Sequence, residues 1–455
     1  MKRPNIIILT IECLRKEKMG PFSRGMERVT PVMSELGKRS MLMDRYHSPS
    51  SWTLPSFFTI FTSRYSLENN GRIDLNGKER TMVETLKENG YHTLGLTGGG
   101  WLSRFFGFGR GFDRFEDGKT ESNPLVKKLK KFALLNDKLK KPAIYLHFLK
   151  EHYFPGARIG DTQTIIAKRW ISERSKEDPF FLWIHYIETH DPYFPNRRMT
   201  DIGFNRIWRL NQKIKENMAT RGPGEIELSE NELGLLWKVY EIELNYIDER
   251  IGELVEHLER EGCLNEDTYI MIFGDHGQQF MEHGDFGHSV ELYQELVNTP
   301  MMIYNRGFKG SNSGALISGL DIAPTILNIA GIRIPACYLG KPFLGKDVIP
   351  NDEIVLMEGQ DRRDDFILKD NTVSLNKDKY KIAVIKNHYK LIYRSNGHHS
   401  MYDLERDASE EDDIFDPLDP IAVELISKAE SVIDSIKSND KREKLRNIIR
   451  SIKLH

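Results

Sequence analysis

Ile272-Phe-Gly-Asp-His-Gly-Gln-Gln-Phe-Met-Glu-His-Gly-Asp-Phe-Gly-His288 places three carboxylates, three imidazoles and four glycines in seventeen residues, directly after the apolar run Tyr269 to Phe273. Such a run reads as a buried strand, so the polar cluster falls where the strand ends. In open α/β sheets ligands bind outside the carboxyl ends of the strands. Adjacent Asp275 and His276 at that position suit a divalent metal. An enzyme is the first expectation, and the rest of the chain should supply further ligands and a nucleophile.

Working outward, Asn5 to Ile11 is a mostly β-branched apolar run of the kind found in a parallel strand buried on both faces. Glu12 ends it, so its carboxylate should leave the same sheet edge as Asp275 and His276. If the two strands are neighbours, the three side chains converge, and two carboxylates with one imidazole favour Zn²⁺ or Mn²⁺. In Ser50-Ser-Trp-Thr-Leu-Pro-Ser56, Thr53 fits the N-cap of a helix with Pro55 in its first turn. A hydroxyl there faces backbone N–H groups that favour phosphate or sulfate, and a metal within reach would make it a nucleophile.

The periodicity predicts helices over Thr30–Lys38, Met82–Asn89, Ile165–Arg174, Asn231–Glu261 and Asp321–Ala330, and strands over Tyr91–Leu96, Pro179–Tyr186, Thr268–Phe273 and Pro300–Tyr304. Their alternation implies an α/β fold with a mainly parallel sheet flanked by helices. After about residue 350 the pattern changes to strands at Glu353–Met357, Tyr380–Ile385 and Tyr389–Tyr393, with a hairpin at Lys386-Asn387-His388 and a charged helix from Ala422. We therefore expect a catalytic domain over 1–350 and a smaller α+β C-terminal domain over 351–455, consistent with 455 residues exceeding one compact core.

A net charge of −2 gives no global attraction to nucleic acid or anionic membrane. The three cysteines, Cys13, Cys263 and Cys337, lack metal-type spacing and read as reduced thiols. The apolar stretch after the N-terminus is short and interrupted by Glu12, so no signal peptide is read and a cytoplasmic location is expected. No run reaches the roughly 20 apolar residues of a transmembrane helix. Residues 119–160 form a basic insertion: nine lysines against two acidic residues lie between Lys119 and Lys150. We take it as a solvated helix face, the alternative being weak membrane contact through 119–150. His92, His147 and His152 read as surface or packing residues, and Tyr246 and Asp248 as structural.

Taken in order, Pro4-Asn-Ile-Ile-Ile-Leu-Thr-Ile-Glu-Cys-Leu-Arg15, Ser51-Trp-Thr-Leu-Pro-Ser56, Gly107-Phe-Gly-Arg-Gly-Phe-Asp113, Phe180-Phe-Leu-Trp-Ile-His-Tyr186, His190-Asp-Pro-Tyr193, Asp275-His-Gly277, Glu282-His-Gly284, Asp321-Ile-Ala-Pro-Thr325 and Met401-Tyr-Asp-Leu-Glu405 resemble the sulfatase branch of the alkaline phosphatase superfamily. The resemblance implies an alkaline-phosphatase-like fold. Two departures bear on the chemistry. Sulfatases resembling this chain oxidise a Cys or Ser to formylglycine in a Cys-x-Pro-x-Arg signature, whereas Thr53 and Phe57 stand here. Their calcium site begins Asp-Asp, whereas this chain has Glu12-Cys13, and a thiol is a poor calcium ligand.

The set Glu12, Thr53, Asp275 and His276 instead resembles the metal site of phosphoglycerol and phosphoethanolamine transferases, which use a threonine on Mn²⁺ or Zn²⁺. That resemblance implies a metal-dependent enzyme without formylglycine, with Thr53 as nucleophile and ligand. His190 and His288 fall where that group places substrate-binding or second-metal histidines, and either would protonate the leaving oxygen. His283, Ser56 and Arg64 are the further candidates for substrate contact. His283 is equally a loop-ordering residue, and Arg64 an exposed loop cation. The substrate would be an anionic phosphate or sulfate ester of a glycan, lipid head group or small metabolite, cleaved or transferred. The alternatives are direct sulfate-ester hydrolysis at Thr53 and a catalytically silent binding protein.

Overall fold

The computed structural model describes residues 3–434 except 70, 119–136, 155–157, 176, 221–226, 289–290, 346–354, 361–365, 370–371 and 377–378. In chain order the strands of the main sheet are β1 (Asn5–Ile11), β2 (Ser40–His47), β3 (His92–Leu96), β4 (Arg114–Glu116), β5 (Phe180–Tyr186) and β6 (Thr268–Gly274). A two-stranded hairpin follows, β7 (Gln279–Phe280) with β8 (Phe286–Gly287), and then β9 (Met301–Asn305) and β10 (Ser311–Ser318) return to the main sheet. The sheet order is β10-β2-β9-β6-β1-β5-β3-β4, with β9 antiparallel to both neighbours and the other pairings parallel. The fold is thus the mixed α/β architecture read from the sequence.

Strand β1 is central, and its alternation sorts the core. Ile7, Leu9 and Ile11 face one side, where helices Ile159–Glu173, Phe204–Thr220 and Glu230–Arg260 pack. Ile6 and Ile8 face the other, against helices Thr53–Thr62, Met82–Glu88 and Ile322–Ile329. The longest helix, Glu230–Arg260, starts in a capping box, with the Ser229 hydroxyl accepting from Glu232 N and the Glu232 side chain returning to Ser229 N at 2.8 Å. Asp248 accepts from Val32 N and Met33 N at 2.8 Å each, which ties that helix to the start of Pro31–Gly37.

Several expectations shift. Helix Ile159–Glu173 begins six residues before the expected Ile165. A further helix, Phe204–Thr220, was not among those expected; its Phe204, Ile207, Leu210 and Ile214 are buried in the core. Within the basic insertion, Asp137–Tyr153 is a helix, and Tyr145, Phe148 and Leu149 pack against the core, with Phe148 stacked on Phe194 at 4.1 Å. Residues 119–136, which hold most of the lysines, lie outside the described residues.

The C-terminal part is antiparallel. Strands β11 (Val355–Gln360), β14 (Tyr380–Lys386), β15 (Tyr389–Arg394) and β16 (Ser400–Asp403) form one sheet in that order, and β12 (Phe366–Lys369) pairs with β13 (Thr372–Leu375). The expected hairpin turn is present, with Asn387 in the left-handed region at φ 55°. The helix read from Ala422 is described from Pro420 to Asp434, and Ala422, Leu425 and Ala429 cover this sheet.

Candidate active site and metal centre

Register decides where the polar residues meet. In the pairing of β1 with β6, Ile11 lies beside Gly274, so Glu12 and Asp275 leave adjacent parallel strands at one level. In the pairing with β5, Thr10 lies beside His185. Alternation then puts Glu12, His185 and Asp275 on the face of Ile6, Ile8, Trp183 and Phe273, the face that carries helix Thr53–Thr62. Trp52 occupies the N-cap and makes no side-chain cap bond, so Thr53 is the first helical residue and not the cap expected from the sequence. Its hydroxyl is therefore directed at the strand ends. Thr53 Oγ1 donates to Glu12 Oε1 at 3.0 Å and lies 3.2 Å from His276 Nε2.

Each ligand candidate is held from behind. The ring of His276 is fixed by Nδ1 against Gly277 O at 2.8 Å, which turns Nε2 toward Thr53 and, at 3.5 Å, Asp275 Oδ2. Gly277 is required by close approach: a Cβ there would sit 1.9 Å from Glu295 O. On the other side, Thr10 Oγ1 accepts from Trp183 Nε1 at 3.0 Å and meets His185 Nδ1 at 2.9 Å. This leaves His185 Nε2 to donate to Glu12 Oε2 at 3.3 Å. Thr189 Oγ1 donates to Glu12 O at 2.5 Å. His190 Nδ1 contacts Asp191 O, and its Nε2 lies 3.9 Å from Glu12 Oε1.

The electrostatics call for a cation. Burial pushes Glu12 up, but His190, His185 and His276 outweigh it and hold its carboxyl at about 2. Asp275 is pushed well above the carboxylate range by burial and by the charge of Glu12. Asp275 Oδ2 is fully buried and has no hydrogen-bond partner. An orphaned carboxylate oxygen beside a second carboxylate is costly unless a positive charge meets it. Glu12, Asp275 and His276 each offer a ligand atom within 4.8 Å of the others. Two carboxylates, an imidazole and an adjacent hydroxyl fit Zn²⁺ or Mn²⁺.

The structure thus brings together Glu12, Thr53, Asp275, His276 and His190, with His288 alongside: its ring is 4.5 Å from that of His276 and 5.0 Å from that of His190. It does not bring in the other three candidates. Ser56 is wholly buried, with its hydroxyl 3.1 Å from Ser48 Oγ and Ser50 O. Arg64 follows the Ser63 C-cap at the far end of the Thr53 helix, about 15 Å away at 1.5 Å per residue. His283 stacks on Tyr293 at 3.8 Å with Nε2 3.7 Å from Glu295.

His185 was missed because it lies within an apolar strand; its parity with Phe181 and Trp183 was the available signal. Phe57, in place of the signature arginine, is fully buried with its ring edge-on to His185 at 5.0 Å. A cavity of about 410 Å³ opens over Thr53, with Trp101, Glu188, Arg158, Asp191 and Phe194 among its walls.

A mainly parallel sheet with carboxylates, imidazoles and a helix-start hydroxyl at its carboxyl edge defines an ester hydrolase of the sulfatase and alkaline-phosphatase-like superfamily. The chain belongs to the sulfatase family, whose model matches residues 4–332; residues 281–438 match the C-terminal region of N-sulphoglucosamine sulphohydrolase. It is 23% identical to an N-acetylglucosamine-6-O-sulfatase of Bacteroides thetaiotaomicron, over 97% of this chain and 88% of that protein. The human N-acetylglucosamine-6-sulfatase is 23% identical over 72% of this chain and 61% of that protein. A solved structure in complex with D-glucosamine-2-N,6-O-disulfate superposes with a TM-score of 0.69 at 20% identity, covering 96% of this chain and 99% of that one. A phosphonate monoester hydrolase from Silicibacter pomeroyi also gives 0.69, at 16% identity and 96% of each chain. No described helix is long and apolar enough to cross a membrane.

Proposed function

We propose that this protein hydrolyses an ester of a tetrahedral oxyanion, sulfate or a phosphorus oxyacid, with Thr53 Oγ1 as the nucleophile at a divalent metal centre. The observation that carries this is the convergence of Thr53 Oγ1 on Glu12 Oε1 and His276 Nε2 at the floor of the cavity. Glu12, Asp275 and His276 would hold the metal. Bound there, it supplies Lewis acidity and lowers the pKa of the Thr53 hydroxyl. That help is needed: a carboxylate at about 2 is too weak a base to deprotonate an alcohol alone.

Glu12 orients the Thr53 hydroxyl, and the start of helix Thr53–Thr62 adds its partial positive charge where the ester oxygens gather. With its proton released to solvent, Thr53 Oγ1 attacks the central atom in line with the leaving oxygen: the Oγ1 bond forms as the ester bond breaks. His190 stands at the cavity wall. Burial lowers its pKa, but Asp191 and Glu12 outweigh burial and raise it, so His190 keeps a proton to give the leaving oxygen. Water then attacks the threonyl ester and restores the hydroxyl.

A threonyl ester has no second hydroxyl on its carbinol carbon, so it cannot release the anion by collapsing to a carbonyl. A second in-line attack at the central atom must do so, which favours phosphorus over the less readily attacked alkyl sulfate. The sulfate reading is supported by the relatives, which are named for sulfated N-acetylglucosamine. Parallel turnover of aryl sulfate, aryl phosphate and aryl phosphonate esters separates the two. Intact mass after quenching should show the transferred group on Thr53, and Thr53→Ala should lose both adduct and about 10³-fold or more of turnover. Full activity in Thr53→Ala would sink the mechanism.

A further inference from the structure

We propose that helix Asp137–Tyr153 is an interfacial anchor that seats the protein on an anionic phospholipid surface. The helix has two unlike faces. Tyr145, Phe148 and Leu149 pack against the core, with Tyr145 edge-on to Phe204 at 5.1 Å and to Trp208 at 4.9 Å. His152 is buried beside them, its Nδ1 2.5 Å from Pro195 O. The inner face is thus occupied by the protein's own core, and its packing fixes what the outer face presents. Leu146, Lys150 and Tyr153 follow at i, i+4 and i+7, so they form one outward stripe, which Phe154 extends past the helix end. Leu146 is 61% exposed, Tyr153 44% and Phe154 62%.

Cations flank these apolar groups. Lys150 is exposed within the stripe. Arg197 is exposed with its guanidinium carbon 5.5 Å from the Tyr153 ring, and its backbone N–H donates to His152 O at 2.8 Å. The start of the helix, Asp137-Lys-Leu-Lys-Lys141, adds three lysines against one aspartate in its sequence. Between Pro142 and Arg158 the sole carboxylate is Glu151, which pairs with His147 at 3.4 Å and lines the cavity. The net charge of −2 gives the whole chain no pull toward an anionic surface, so adhesion comes from this local patch.

The combination selects the occupant. A polyanionic glycan would use the cations and leave Leu146 and Phe154 in water. An apolar protein surface would use the apolar side chains and leave the cations unmatched. A bilayer with anionic head groups meets both: Leu146 and Phe154 enter the acyl boundary, Tyr153 sits at the head-group level, and Lys150 and Arg197 meet the phosphates. The same helix supplies His147, Phe148 and Glu151 to the cavity over Thr53, so a protein seated on this stripe holds that cavity beside the head-group layer. The placement of the cavity rests on the active-site reading above; the membrane contact itself does not.

The experiment cosediments the full-length protein with vesicles of pure phosphatidylcholine and with vesicles of equal parts phosphatidylcholine and phosphatidylglycerol. Wild type should pellet with the mixed vesicles only, and return to the supernatant at about 1 M salt, where the screening length falls to about 3 Å. Leu146→Ser with Phe154→Ser, and separately Lys150→Glu with Arg197→Glu, should each lower partitioning about tenfold or more. An unchanged melting transition in both double variants reports folding without relying on the active-site reading. If a double variant does not fold, Phe154→Ser or Arg197→Glu alone decides by the same partitioning. No pelleting of wild type with the mixed vesicles, equal pelleting with pure phosphatidylcholine, or undiminished binding by either double variant would overturn the proposal. So would retention on immobilised heparin without vesicle binding, which marks a glycan site, or self-association without vesicle binding that Leu146→Ser with Phe154→Ser abolishes, which marks a contact between copies.

Discussion

Asp275→Asn separates the contribution of the site to folding from its contribution to catalysis, because it should move stability in opposite directions with and without metal. In the metal-free protein Asp275 carries a fully buried carboxylate whose Oδ2 has no hydrogen-bond partner and which faces Glu12. Its carboxyl is raised, so between the unfolded value and its folded value the native state binds more protons, and stability falls as pH rises through that window. The amide keeps the shape and removes the charge. Relieving a buried unsatisfied group is worth about 1–3 kcal/mol, and 1 kcal/mol moves Tm by roughly 2–4 °C in domains of about 150–250 residues, somewhat less in a larger chain. Chelated Asp275→Asn should thus melt several degrees above chelated wild type at pH 7.5.

With Zn²⁺ at about 100 times its Kd, one bound ion adds about 2.7 kcal/mol to the wild type, whereas the variant loses that ion's contribution. Calorimetric scans of both proteins, chelated and reloaded, give the four values needed. A chelated variant that melts below chelated wild type, or a variant that retains the full metal-induced rise, would refute the account of Asp275 as a ligand strained without its ion.

Further outcomes follow from other contacts. His185→Gln removes the imidazole that braces Glu12 and should weaken metal binding by about 10–100-fold, read by competition with a chromogenic chelator; unchanged affinity would make His185 a packing residue. Gly277→Ala drives a Cβ into Glu295 O and should abolish metal binding or folding, seen as lost metal stoichiometry or a collapsed melting transition. Glu358 is raised to about 7, mainly by burial, so its contribution is fully present below pH 4.5 and is lost as pH rises toward 7. Glu358→Gln should flatten the decline of stability across pH 4.5–7, by at most roughly 1.4 kcal/mol per pH unit in denaturant titrations.

The strands that build the site were legible because they are buried on both faces: Asn5–Ile11, Phe180–Tyr186 and Thr268–Gly274 are dense apolar runs, and polar residues at their ends stand out. Strand β10 was not, since Ser311–Ser318 is polar, carries Gly314 and lies exposed over its first half at the sheet edge. Strand β2 mixes methionines with Asp44 and Arg45, and its place is set by pairing with β9 and β10, not by propensity. Glu12, Thr53, Asp275 and His276 could be grouped because each sits at an element boundary. The sequence left His283 open between substrate contact and loop ordering because a charged loop of identical composition can turn either way, and its stacking on Tyr293 is set by tertiary packing.

The central position of β1 also constrains how the protein is made. Its first residue pairs with β6 through Asn5 and Thr268, 263 positions later in the chain. At about 5–20 residues per second, ribosomes would need roughly 13–50 s to reach that partner. Throughout that interval the β6 edge of the strand stays unpaired, although helices Thr53–Thr62 and Met82–Glu88 and strand β5 are made earlier and can cover one face and the other edge. Expression yield should therefore respond to chaperone supply and to translation rate more than to the melting temperature of the finished enzyme.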